Sequence, residues 1–161
     1  MQHNSVFIQQ YRLKAYYAYI ICLVIFFVRF ISNAMFSQMA SPHLFFGEQE
    51  WSYRIFLNSG IIPYIVSHHV LSGLLDGMLF FIPMVFLLTT NRIFAIAYTL
   101  LATIYFLTYN IVTGHHYHGL VGLLVISIPF WSQNEQRFNF LWQGARYYLL
   151  YIFFSAACWK I

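Results

Sequence analysis

Apolar residues in this chain come in long unbroken runs separated by short polar punctuation. The first run, AYYAYIICLVIFFVRFISNAMF, covers residues 15–36 and is interrupted only by Arg29. A polar stretch, SQMASPHLFFGEQEWSYRIFLNSG, follows, and its aromatic residues suit a plain loop or a short interfacial segment. The second run spans residues 61–90. As one continuous helix it exceeds the thickness of a bilayer core, so it must tilt, kink or begin outside the membrane. Pro63 suits a helix start and Pro83 an internal kink. TTNR at residues 89–92 is a tight polar turn. A third run covers 93–113, TGHHYHG intervenes, and a shorter fourth run covers 120–131. SQNEQRFN forms the next polar loop, and a fifth run covers 141–161. The pattern predicts an all-α integral membrane bundle of about five transmembrane helices, folded as one domain over residues 1–161.

Composition agrees with this pattern. The chain is 61% hydrophobic and 7% charged, with a mean hydropathy of +0.67. Soluble domains carry roughly 25% charged residues, so this chain cannot cover a water-facing surface. The +4 net charge comes from scattered basic residues, with no run to follow a phosphate backbone, and nucleic acid is not an expected partner. The basic residues instead predict orientation. With the N-terminus inside, Arg12, Lys14, Arg92, Arg137 and Arg146 fall on or near the cytoplasmic side, whereas Arg54 and Lys160 fall outside. The expectation is an N-in, C-out, multi-pass protein of the plasma (inner) membrane, with the lipid bilayer as its first partner. The first apolar run is too long for a signal-peptide core and is expected to remain as an anchor. Cys22 and Cys158 lie in separate runs and predict inert thiols rather than a disulfide.

Candidate chemistry lies in the histidines. Five of the seven flank apolar runs: His68 and His69 open one, and His115, His116 and His118 lie between two others. In the N-in topology both groups and His43 share the outer side. Imidazoles at that depth can hold zinc, copper or iron, or a haem between facing helices. They can equally bond water, headgroups or neighbouring carbonyls. No adjacent cysteine or suitably spaced carboxylate singles out a metal site. Asp76 and Arg29 are intramembrane charges on consecutive runs, and each alone is costly there, so a buried pair is expected. His69, Ser72 and Asp76 recur on one helical face, which makes Asp76 either a structural partner of Arg29 or a proton-handling group beneath His69. Gly73 and Gly77 in GLLDG, together with Gly119 and Gly122, suit close helix packing.

Two segments carry a family resemblance. YYLLYIFFSAACWKI resembles the segment of the HTTM domain in which a lysine follows a small-residue pair, here Ala156–Ala157. HTTM is the transmembrane part of vitamin-K-dependent γ-carboxylase-like proteins, and its helical plan is shared with the DoxX-like superfamily of redox-associated bundles. GHHYHGLVGLLVISIPFW resembles the His-bearing helix start of the same domain, and the two segments occur in the same order. Together they cover about a quarter of the chain. The resemblance implies that Lys160 is a base acting on a quinol-type substrate, with His115 or His116 beside it. The carboxylases continue with further helices and a large lumenal domain, so the resemblance implies a minimal HTTM-like protein or an N-terminal fragment of a longer one, and not a complete carboxylase in this chain alone.

These readings give an outward-facing site with Lys160, His116 and His69 as catalytic candidates. His68, His115, His118 and Asp76 are candidate cofactor-binding residues. The residues leave the cofactor open, with a quinone as a candidate ahead of metal or haem. Two alternatives compete: a non-catalytic subunit docking to a membrane protein partner or forming a homo-oligomer, and a small transporter with Asp76 and Arg29 along its path. The residues do not decide between an enzyme and a docking subunit.

Overall fold

The computed structural model describes residues 2–38, 58–60, 64–65, 67–113 and 118–158, and side chains within these except at 2–4, 107–121 and 156. Among the described residues 90% are helical and no strand forms. Five helices succeed one another among the described residues: α1 (Gln2–Ile31), α2 (His69–Thr89), α3 (Arg92–Thr113), α4 (His118–Ser127) and α5 (Glu135–Cys158). A 3-10 turn, Phe36–Gln38, follows α1, and a second, Ile128–Trp131, extends α4.

Each boundary has a local cause. Residues 2–38 contain neither glycine nor proline, so α1 runs through the polar N-terminal stretch and begins well before the predicted residue 15. It stops where Asn33 adopts a left-handed conformation, φ 53°. The Ala34 N–H then reaches back to the Arg29 carbonyl (2.9 Å) and the Asn33 N–H to that of Phe30 (3.2 Å), the Schellman arrangement. The Asn91 side chain caps α3 by accepting from the Ile93 N–H at 3.0 Å. Pro129 lacks the N–H that would continue α4, and the chain tightens into the 3-10 turn. Asn134 caps α5, accepting from the Arg137 N–H at 3.1 Å, and Glu135 lies in the favourable first turn. This cap starts α5 six residues before the predicted 141.

The helices run antiparallel to their sequence neighbours and share one aromatic core. On α1 the buried positions are Tyr11, Ala15, Ala18, Tyr19, Cys22 and Phe26, a single stripe at helical spacing. Ser72, Asp76, Leu79, Pro83 and Phe86 form the matching stripe on α2, and Ala95, Tyr98, Ala102 and Tyr105 that on α3. Phe130 is the hub at one end, with the rings of Tyr11, Tyr19, Phe86, Phe138 and Trp142 all within 6 Å of its own. Above it, Trp131 Nε1 donates to Thr99 Oγ1 (3.0 Å), which lies 2.7 Å from Ser127 Oγ. Gly122 lets α5 approach α4, since a Cβ there would meet the Leu149 side chain at 3.1 Å. Gly73 and Gly77 behave differently. Both face outward, with nothing within 4 Å of a Cβ built on either among the described residues. Cys22 is buried, Cys158 exposed, and both are free thiols.

Among the described residues two helical segments are long and apolar enough to cross a membrane, residues 5–38 and α2, each with a mean hydropathy of 2.1. Only 22% and 28% of their apolar windows are buried inside the molecule. A core helix of a soluble protein is equally apolar but covered by its neighbours. Here Leu13, Tyr17, Ile21, Val24, Phe27 and Val28 of α1 all stand at least half exposed.

Candidate functional site

Asp76 lies two turns into α2 and is 6% exposed. Its Oδ2 accepts the backbone N–H of Ser37 at 2.8 Å. Its Oδ1 is buried and has no hydrogen-bond partner among the described residues. Arg29, in the last turn of α1, donates from Nη2 to the Ala34 carbonyl at 3.0 Å and lies 5.8 Å from the centre of the Tyr105 ring. Ala34 and Ser37 belong to one tight reversal. The two charges therefore grip the same turn, Arg29 from its carbonyl side and Asp76 from its amide side. The reversal also seats Met35 and Phe36 in the core, with Phe36 against Tyr105 at 4.2 Å between ring centres. Sequence reasoning found Arg29 and Asp76 but missed the turn between them. Its signal was Asn33, a residue type that tolerates the left-handed conformation.

The two histidines before Asp76 are both exposed. His68 precedes α2, and its Nδ1 lies 2.8 Å from the Tyr64 carbonyl and 3.1 Å from Ser67 Oγ. A carbonyl only accepts, so Nδ1 is the donor to it, and in the neutral ring this tautomer keeps the lone pair on Nε2. The His68 ring also stacks on Tyr64 at 4.0 Å. His69 is the first residue of α2. Ser72 lies between His69 and Asp76 on the same face, as the spacing predicts. Its hydroxyl, however, faces the main-chain carbonyls of His69 (3.1 Å) and His68 (3.4 Å). The stripe is therefore a shared face and not a chain of side-chain hydrogen bonds from imidazole to carboxylate.

His118 opens α4, and its side chain is outside the described set. His115, His116 and Lys160 lie outside the described residues, as do His43, Pro63 and the candidate interfacial segment. Among the described residues no three His, Cys, Asp or Glu side chains cluster as metal ligands. At the opposite end of the molecule, Phe7, Tyr11, Arg12, Thr90 and Gln133 line a cleft of about 410 Å³. The N-terminal part of α1, the α2–α3 turn and the loop before α5 thus meet at one end. By the antiparallel order, the starts of α2 and α4 and the close of α5 lie toward the other.

The fold and these sites define an all-helical protein with two helices fit to cross a bilayer and a buried carboxylate at one end. Comparison with protein-family models, with curated proteins and with solved structures gives no match for this chain.

Proposed function

We propose that the chain is a multi-pass inner-membrane protein of five spans, N-in and C-out, with a polar site at its outer end. The observation that carries the membrane reading is the mismatch between hydropathy and burial. Segments with a mean hydropathy of 2.1 leave most of their apolar surface outside the protein core, which only lipid or another membrane protein can cover. Orientation follows from the basic residues: Arg12, Arg92 and Arg137 belong to elements that meet at one end, and the inner face attracts such residues.

At the other end, the buried Asp76 with one unfilled oxygen and the free Nε2 of His68 support a ligand site. The alternation of spans would bring His115, His116, His118 and Lys160 to the same depth. The resemblance to the HTTM domain adds a quinol-type substrate, with Lys160 as the base. His68 fits this chemistry, because an Nε2 lone pair accepts from a quinol hydroxyl. A quinone would supply two-electron redox chemistry. The chain's own part would be to orient the hydroxyls through His68, His69 and His116 and to accept a proton on Lys160.

A second reading, a docking subunit, is favoured by the open outer face at Gly73 and Gly77.

The test has two arms. Reporter fusions at Arg92 and Gln133 should read cytoplasmic, and those at Gly47 and Gly114 external. A cytoplasmic signal at Gly114 would separate the histidine groups and overturn the site. The purified protein should yield extractable quinone that Lys160→Ala loses. A stoichiometric partner chain with no quinone in the wild type would establish the docking reading instead.

A further inference from the structure

At the end of the molecule remote from the histidines, two grooves meet at one arginine. The first is the cleft of about 410 Å³ lined by Arg12, Thr90 and Gln133 over Phe7, Ile8 and Tyr11. The second, of about 420 Å³, also includes Arg12 and Thr90, and continues past Leu13, Tyr16, Leu87 and Leu88. Along α1 the second groove lies on the side toward the middle of the apolar run, and along α2 likewise. The polar cleft therefore sits nearer the helix ends and the apolar groove nearer the centre of the spans.

We infer that Arg12, Thr90 and Gln133 bind the phosphodiester headgroup of an anionic phospholipid, whose acyl chain lies in the Leu13–Leu87–Leu88 groove. Four observations support this. The Arg12 guanidinium, the Thr90 hydroxyl and the Gln133 amide make no hydrogen bond or ion pair among the described residues, so all three are open to a ligand. No acidic side chain among the described residues lines either groove. Lys14, two residues from Arg12, is by contrast engaged, with its Nζ 3.5 Å from Asn139 Oδ1 and 5.2 Å from the centre of the Phe138 ring. Finally, Thr90 closes α2 as its left-handed C-cap, φ 51°, with its N–H on the Phe86 carbonyl at 2.7 Å, and this fixed position puts it in the lining of both grooves. A planar guanidinium matches two phosphate oxygens at once, and hydroxyl and amide donors complete the set. A free phosphate would use the same three donors but would leave the apolar groove empty.

This inference rests on the membrane placement proposed above but not on the orientation or on the histidine site. The test uses the full chain in uncharged detergent, with lipid binding read by native mass spectrometry and by thermal shift. The probes are dioleoylphosphatidylglycerol, dioleoylphosphatidylcholine, glycerophosphoglycerol and inorganic phosphate. The anionic lipid should bind and stabilise the wild type, and the other three should do so weakly. Arg12→Gln should weaken the anionic lipid roughly fivefold, the contribution of one basic residue at a charged membrane surface. Arg137→Gln, which removes an exposed charge at the same end, should bind as wild type. Equal binding of the zwitterionic lipid, an unchanged Arg12→Gln, or an equal loss in Arg137→Gln would each overturn the site. Full stabilisation by glycerophosphoglycerol or inorganic phosphate would show a free-anion site instead. If the topology were reversed, these results would stand with the lipid in the outer leaflet. If the chain were not a membrane protein, alkaline carbonate would release it from membranes before any lipid was tested.

Discussion

The grip of Asp76 and Arg29 on one turn makes a prediction that a direct ion pair does not. Replacing Asp76 with alanine removes the acceptor of the Ser37 N–H, a 2.8 Å bond to a carboxylate that is 6% exposed. Hydrogen bonds to charged groups contribute about 1.5–3 kcal/mol. Part of that loss is offset because a buried charge no longer has to be desolvated, so a net cost of about 2 kcal/mol is expected. In a chain of this size that lowers Tm by roughly 4–8 °C. Asp76→Asn keeps a carbonyl oxygen for the same N–H and loses only the charge, so it should cost about half as much.

The measurement is thermal unfolding in detergent of both Asp76 variants, Arg29→Gln and the double variant Asp76→Asn/Arg29→Gln. Because both side chains hold the 34–37 reversal, losing one leaves the other with less to hold. The double variant should therefore lose less than the sum of the singles, by roughly 0.5 kcal/mol or more. An Asp76→Ala variant with the wild-type Tm would refute the tether outright. Equal losses in Asp76→Ala and Asp76→Asn would show that the charge, and not the bond to Ser37, is what counts.

Two further outcomes test the packing. Thr99→Val deprives Trp131 Nε1 of its acceptor at 3.0 Å and Ser127 of its hydroxyl neighbour at 2.7 Å. It should cost about 1–3 kcal/mol and shift the Trp131 fluorescence, and an unchanged Tm and spectrum would contradict the cluster. Cys158 is exposed and Cys22 is 1% exposed. A small maleimide should label Cys158 in detergent and reach Cys22 only on unfolding, and prompt labelling of Cys22 would show that the α1 stripe is not buried as described.

Hydropathy in the sequence locates the apolar runs because it measures which residues avoid water. It does not locate helix ends. Residues 2–14 are polar yet helical, since a helix can leave the apolar layer without stopping. The start of α5 depends on Asn134, a capping side chain inside a stretch that reads as loop. The proximity of Arg29 and Asp76 was legible because isolated charges in apolar runs must find compensation. The means of compensation was not, because it needs the reversal at Asn33, and that is set by one backbone conformation rather than by hydropathy. The histidine–serine–aspartate stripe shows the converse limit. Spacing places the three residues on one face, but a helical serine can return its hydroxyl to its own backbone, as Ser72 does toward His69. A face is legible from periodicity, whereas a hydrogen-bond path along it is not.

The narrowness of the buried stripes bears on how much of the functional surface the chain supplies alone. Each of α1, α2 and α3 commits about one residue per turn to the core, and the rest of the apolar surface points outward. Lipid covers such a surface without selecting particular side chains, so most of it needs no further explanation. Two places on it do. Arg12, Thr90 and Gln133 form a donor set with no partner within the described chain. Gly73 and Gly77 leave a smooth strip on α2, suited to the close approach of another helix. The same helix carries Asp76, three residues from Gly73 and next to Gly77, buried in the core with one oxygen that has no partner among the described residues. A helix pressed against Gly73 and Gly77 would therefore bear on the element that carries Asp76 and opens with His69. Docking and chemistry at this end of the molecule are thus not exclusive readings of this chain, because α2 carries both the glycines and Asp76.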